Sequence, residues 1–192
     1  MFGPGWDWRG FDIDRDMPKV DAALGAELNG VARGDLRRFH DRGGKLILFQ
    51  GLADTLVAPG QTVAFYDRQA RRLGGAETMR GFARLFLAPG MMHCGGGPGP
   101  NAFNAANGGA PPPPADTPNA DLFLALSRWV EDGAPPSQVT ATKYTDDLPG
   151  KGVALQRPLC AYPQKAWYRG AGPTNRADSF ICAATFTKGA PS

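Results

Sequence analysis

Four apolar residues in a row, Leu46-Ile47-Leu48-Phe49, are followed at once by Gln50-Gly51. A strand with one wet face alternates polar and apolar residues. A short unbroken run instead marks a strand buried on both faces, as in a parallel sheet covered by helices. The next strand-like run is Phe82 to Ala88. Between them, Gln61 to Leu73 places Val63, Tyr66, Ala70 and Leu73 on one helical face and stops at Gly74-Gly75. Strand, helix and strand make a βαβ unit, so the expected fold class is α/β.

That unit fixes where chemistry can sit. Open α/β sheets keep their working groups just past the carboxyl ends of the strands. Asp54 follows the first strand there, although an Asx-turn or a helix cap is the alternative reading. His93 follows the second strand, on the loop Gly90-Met91-Met92-His93-Cys94-Gly95-Gly96-Gly97. A histidine there can act as a general base, and the glycines let a substrate approach. Its alternative is a ring that merely fills a glycine-rich turn. The βαβ order puts Asp54 and His93 at the same edge of neighbouring strands.

The flanks are less patterned. Trp6 to Asp16 is aromatic and acidic, read as a surface segment with its aromatics tucked inward. Asp12, Asp14 and Asp16 alternate, but an EF-hand loop also needs a glycine at its sixth position and a distal glutamate. No metal site and no cofactor are expected. Val20 to Asp41 suits two short helices, one with Ala22, Ala23, Leu24 and Leu28, the other with Leu36, Phe39 and His40. His40, among Arg37, Arg38, Asp41 and Arg42, reads as a solvated helix-face residue. With 26 glycines and 18 prolines in 192 residues, long irregular connections are expected. Gly95 to Pro118, with four consecutive prolines from Pro111, reads as a polyproline II surface loop. Thr117-Pro118 then starts a helix whose apolar face is Leu122, Leu126, Trp129 and Val130, ended by Gly133 and Pro135-Pro136. Val139 to Tyr144 alternates as a short edge strand, and Arg157 to Thr187 reads as an irregular tail.

Charge and hydropathy narrow the partners. The 21 basic and 18 acidic residues, net +3, are mixed along the chain, so no basic stripe argues for nucleic acid. No apolar run is long enough to span a bilayer. The N-terminus lacks the basic start and apolar stretch of a signal peptide. Three cysteines, Cys94, Cys160 and Cys182, match no zinc spacing.

Several motifs in order resemble one family. They are Phe11-Asp12-Ile13-Asp14-Arg15-Asp16, then Gly51-Leu52-Ala53-Asp54 with Val57 and Pro59, then Met92-His93-Cys94 with Gly96-Gly97-Pro98-Gly99. Trp129-Val130-Glu131 with Gly133, Ala134 and Pro135 follows. Arg157-Pro158-Leu159-Cys160 with Tyr162-Pro163, and Tyr168-Arg169-Gly170 with Phe180 and Cys182, complete the set. Over nearly the whole chain this is similar to the C-terminal part of the tannase and feruloyl esterase family. The resemblance implies an α/β-hydrolase domain with a separate lid, cleaving esters of aromatic acids such as gallate, ferulate or terephthalate monoesters. It implies Asp54 as triad acid and His93 as triad base. It further implies that Cys94 pairs with a cysteine beside the nucleophilic serine, outside this chain, and that Cys160 bridges Cys182. That second bridge is worth about 3 kcal/mol on the loop-entropy model. Disulfides point to an oxidising compartment, hence a periplasmic or secreted parent.

The chain departs from the family at the nucleophile, which precedes the acid in a glycine-flanked elbow. The four serines, Ser127, Ser137, Ser179 and Ser192, all follow His93. Ser127 lies in the expected last helix, where its hydroxyl faces solvent or bonds the preceding turn. Two parallel strands and an edge also leave Leu46 to Phe49 short of cover. Residues 1–192 are therefore expected to be the C-terminal portion of one catalytic domain, without its N-terminal half and lid. The expected function is hydrolysis of a small aromatic ester, with the missing half as partner. The alternative is a non-catalytic aromatic-ligand module using Trp6, Trp8, Trp129 or Trp167 as platforms, or an inactive fragment.

Overall fold

The computed structural model describes residues 2–28 and 34–185 and divides into two compact units, Met1–Leu36 and Arg37–Ser192. In the first, a single 3-10 turn, Trp8–Gly10, precedes helix α1, Ile13–Leu28. Its start lies seven residues before the expected one, and the cap explains why. Asp12 Oδ1 accepts from the Arg15 amide at 2.8 Å, and Asp16 Oδ2 accepts from the Asp12 amide at 3.0 Å. This is a reciprocal pairing of the capping-box kind. The aromatics are only partly tucked in: Phe2 stacks on Trp6 with centroids 4.3 Å apart and Phe11 meets both edge-on, but Trp8 is exposed.

The second expected helix is one turn, α2, Arg37–Asp41; residues 29–33 lie outside the described residues. His40 is not simply solvated. Its ring packs edge-on against Phe82, with centroids 4.9 Å apart.

The second unit is built on a parallel pair. β1, Leu46–Gly51, and β2, Ala83–Ala88, run from Leu46 opposite Ala83 to Gly51 opposite Ala88. Helix α3, Pro59–Arg72, connects them, followed by α4, Ala76–Phe82, a two-turn helix that the sequence reading lacks and that takes Phe82 from the expected strand. The two strands differ in cover. β2 is buried at Ala83, Leu85, Phe86 and Ala88, and its outer edge bridges Ala161 through Phe86. β1 is half-buried from Leu46 to Phe49 and, among the described residues, pairs with β2 alone. The run read as buried on both faces is thus only half-buried, with a neighbouring strand along one edge among the described residues.

Helix α5, Leu122–Asp132, is capped by Asp121, whose Oδ1 accepts from the Phe123 amide at 2.8 Å. Thr117 instead closes the preceding turn, its carbonyl accepting from the Ala120 and Asp121 amides. Leu122, Ala125 and Trp129 form the buried face, whereas Val130 is exposed. β3, Gln138–Tyr144, pairs antiparallel with β4, Val153–Cys160, and β5, Lys165–Tyr168, with β6, Phe180–Ala183. The tail read as irregular therefore carries the end of β4 and all of β5 and β6. Pro158 pairs with Thr140 inside β4, and a proline there hides a strand from pattern reading. The Cys160–Cys182 disulfide, Cα atoms 5.5 Å apart, ties β4 to β6.

The proline-rich segment also departs from a plain surface loop. Asn101, Ala102 and Phe103 are buried, Ala102 bridges Thr142, and Phe103 meets Phe49 edge-on at 5.6 Å. Phe86, Met91, Phe103, Leu122, Val139 and Leu159 make one core. That core welds the parallel pair to the β3–β4 hairpin, so the loops after β1 and β2 stand on a rigid base. Among the described residues no helix is long and apolar enough to cross a membrane.

Candidate active site

The loops after β1 and β2 are laced together. The Leu52 amide donates to the Ala88 carbonyl and the Ala53 amide to the Met91 carbonyl, each at 3.0 Å. Gly51 permits this approach, because a Cβ there would stand on the Met91 and Met92 carbonyl oxygens. The result is one contact: Asp54 Oδ2 lies 2.9 Å from His93 Nδ1.

The Asp54 side chain is 4% exposed and that of His93 44%. Asp54 Oδ1 accepts from the Leu56 amide at 2.8 Å and the Val57 amide at 2.9 Å; Oδ2 also accepts from Gln50 Nε2 at 3.1 Å. The Asx-turn reading of Asp54 is thus correct, and so is its contact with His93; one carboxylate does both. These donors, the Val57 amide foremost, outweigh burial and hold the carboxyl down to about 2, with His93, Leu56 and Gln50 assisting. An ionised carboxylate only accepts, so the contact assigns the proton to Nδ1 and leaves Nε2 as the basic nitrogen. Among the described residues Nε2 makes no hydrogen bond.

Gln50 was not singled out from the sequence. It ends β1 four residues before Asp54, and its Oε1 accepts from Thr62 Oγ1 at 2.8 Å, which ties the acid to α3. The other candidates fall elsewhere. Cys94 is exposed and forms no disulfide within this chain. Ser127 is in α5, Ser179 is buried in a turn before β6, and Ser192 lies outside the described residues. Neither Ser127, Ser137 nor Ser179 hydrogen-bonds His93. Trp129 is 3% exposed, which removes it as an aromatic platform. Trp167 donates its Nε1–H to the Ala183 carbonyl. Leu52, Leu56, Val57 and Met92, all next to the pair in sequence, are exposed.

A parallel-strand pair with an acid after one strand and a histidine after the next defines an α/β protein of the α/β-hydrolase type. The family model for tannase and feruloyl esterase matches residues 12–183, and the chain belongs to that family. A mono(2-hydroxyethyl) terephthalate hydrolase from Piscinibacter sakaiensis is 40% identical over 182 residues, 91% of this chain and 26% of that protein. A probable feruloyl esterase B-2 from Aspergillus flavus is 35% identical over 170 residues, 84% of this chain and 31% of that protein. The crystal structure of feruloyl esterase B from Aspergillus oryzae superposes with a TM-score of 0.77 at 26% identity, covering 93% of this chain and 34% of that one. The chain thus spans about a quarter to a third of the relatives it matches.

Proposed function

We propose that this chain supplies the acid and the base of a serine carboxylic ester hydrolase acting on esters of aromatic acids. It is read as the C-terminal portion of the catalytic domain, with nucleophile and lid on polypeptide outside this sequence. The observation that carries the reading is the 2.9 Å contact between a buried, ionised Asp54 and the Nδ1 of a half-exposed His93. In this reading Nε2 takes the proton of a serine hydroxyl as it attacks the ester carbonyl and returns it to the departing alkoxide. The same nitrogen then activates water to release the acid, while Asp54 stabilises the imidazolium throughout.

The esterase relatives support the reaction class, and the feruloyl and terephthalate groups in their names support the substrate class. The apolar side chains exposed beside the pair suit an aromatic acyl group. Cys94, next to His93, is available to pair with a cysteine beside the nucleophile. The Cys160–Cys182 bridge supports an oxidising compartment, periplasmic or extracellular.

The test is turnover of methyl ferulate and mono(2-hydroxyethyl) terephthalate by the full-length polypeptide that carries this sequence. His93→Ala is expected to lower kcat by on the order of 10⁴-fold or more. Unchanged turnover in that variant would remove His93 as the base.

A further inference from the structure

Before His93 the loop is laced to Ala53 through Met91, but around and after it the chain runs through glycines. Gly90, Gly95, Gly96 and Gly97 surround it, and Cys94 sits at φ +57. A residue with a side chain stays in that left-handed region only where its surroundings hold it. Two side chains from outside the loop do so. Asn107 Nδ2 donates to the Cys94 carbonyl at 2.7 Å, and Lys143 Nζ donates to the Gly97 carbonyl at 2.6 Å.

Lys143 is itself held. It lies on β3 where the register against β4 shifts between Lys143 and Tyr144, an irregularity that re-aims a side chain. Its ammonium also donates to Asp147 Oδ1 at 2.6 Å, and Asn101 Nδ2 donates to the same oxygen at 2.9 Å. Asp146 and Asp147 are both left-handed, φ +54 and +59, a conformation aspartate tolerates better than most residues. The turn thereby swings the carboxylate back towards its own strand. Burial works against a charge on Asp147, yet the bonds from Lys143 and Asn101 keep its carboxyl below the usual range. The Lys143 side chain is 13% exposed. An ordinary surface pair four residues apart does not need such shielding. What it gains is a contact 46 residues away, on the loop that carries the histidine.

We propose that Lys143 is a positioning residue for His93: anchored by Asp147, it clamps the Gly97 carbonyl and, with Asn107 on the Cys94 carbonyl, sets the imidazole against Asp54. The proposal rests on the reading of His93 as the base. Misplacing a catalytic group by about 1 Å costs on the order of 10²-fold.

The test uses the full-length polypeptide. Lys143→Met is expected to lower kcat on methyl ferulate by about 10- to 100-fold while KM changes by less than about two-fold. It is also expected to broaden or abolish the low-field NMR resonance of the Nδ1 proton shared with Asp54. Lys143→Arg should restore part of both. Lys151→Met, which breaks the neighbouring exposed pair with Asp146, should change neither. A folded Lys143→Met protein with wild-type kcat and an intact resonance overturns the proposal. If that variant does not fold, Asn107→Ala takes its place, and unchanged kcat with an intact resonance overturns it equally. If His93→Ala leaves turnover untouched, the esterase reading fails instead, and the resonance in wild type against Lys143→Met still decides the clamp.

Discussion

Asp16 and Asp54 are both buried carboxylates with all their lone-pair directions engaged, yet their partners differ in kind. Asp16 takes Arg15 Nε at 2.9 Å, Arg15 Nη2 at 2.6 Å, Lys19 Nζ at 3.4 Å and the Asp12 amide at 3.0 Å. Its partners lie within four residues, and the cations are permanent, so the arrangement closes the start of α1. Asp54 takes three neutral donors and one imidazole 39 residues away whose second nitrogen makes no hydrogen bond among the described residues. Both carboxyls are held well below their ordinary range, Asp16 by the Arg15 bond first and Asp54 by the Val57 amide first. Burial and a depressed pKa therefore do not distinguish a cap from the acid of the proposed triad. The partner does, when it can accept a proton on its far side.

Exchanging each carboxyl for an amide tests this contrast. Asp54→Asn is expected to lower kcat by on the order of 10⁴-fold in a folded protein, because an amide can favour the wrong imidazole tautomer. Asp16→Asn should leave kcat within about two-fold and lower the melting temperature. Equal losses of activity in two folded variants would break the comparison.

Removing the Cys160–Cys182 bridge sharpens it from the other side. The double serine variant is expected to lose about 3 kcal/mol of stability in denaturant unfolding, from a loop closed over 22 residues. Its kcat under native conditions should persist, since the bridge ties β4 to β6 and not the two site loops. A collapse of kcat without unfolding would mean that the far end of the sheet also sets the site.

The smallest effect is in pH. Asp54 is depressed to about 2 when folded, against an ordinary value of about 4 unfolded. Its contribution to stability is fully present above about pH 4 and is lost as pH falls towards 2. Denaturant unfolding over that window should show a slope in the wild type that is shallower in Asp54→Asn. An activity limb above about pH 5 is then not the titration of Asp54.

The site was more legible in the sequence than the frame that holds it. Asp54 and His93 followed from an unbroken apolar run and strand order, because parallel strands must deliver their next residues to the same edge. Gln50 and Lys143 escaped for a common reason: each is a polar residue in a strand, and its partner is set by tertiary contact, which periodicity does not register. Phe103 was hidden in a glycine- and proline-rich segment, where one large apolar side chain was the only sign of burial. Strands β4 to β6 were missed because Pro158 and the glycine-rich turn before β6 break the alternation on which strand reading depends. The start of α1 was set by Asp12 and Asp16, read for metal and not for capping.

The most direct measurement is a crystal structure of the full-length polypeptide after inactivation by an alkyl phosphonate, which labels an activated serine. The account predicts one modified serine whose Oγ lies within about 3 Å of His93 Nε2, with Nδ1 still on Asp54. A label on a serine remote from His93, or an imidazole turned away from Asp54 in the adduct, would contradict it.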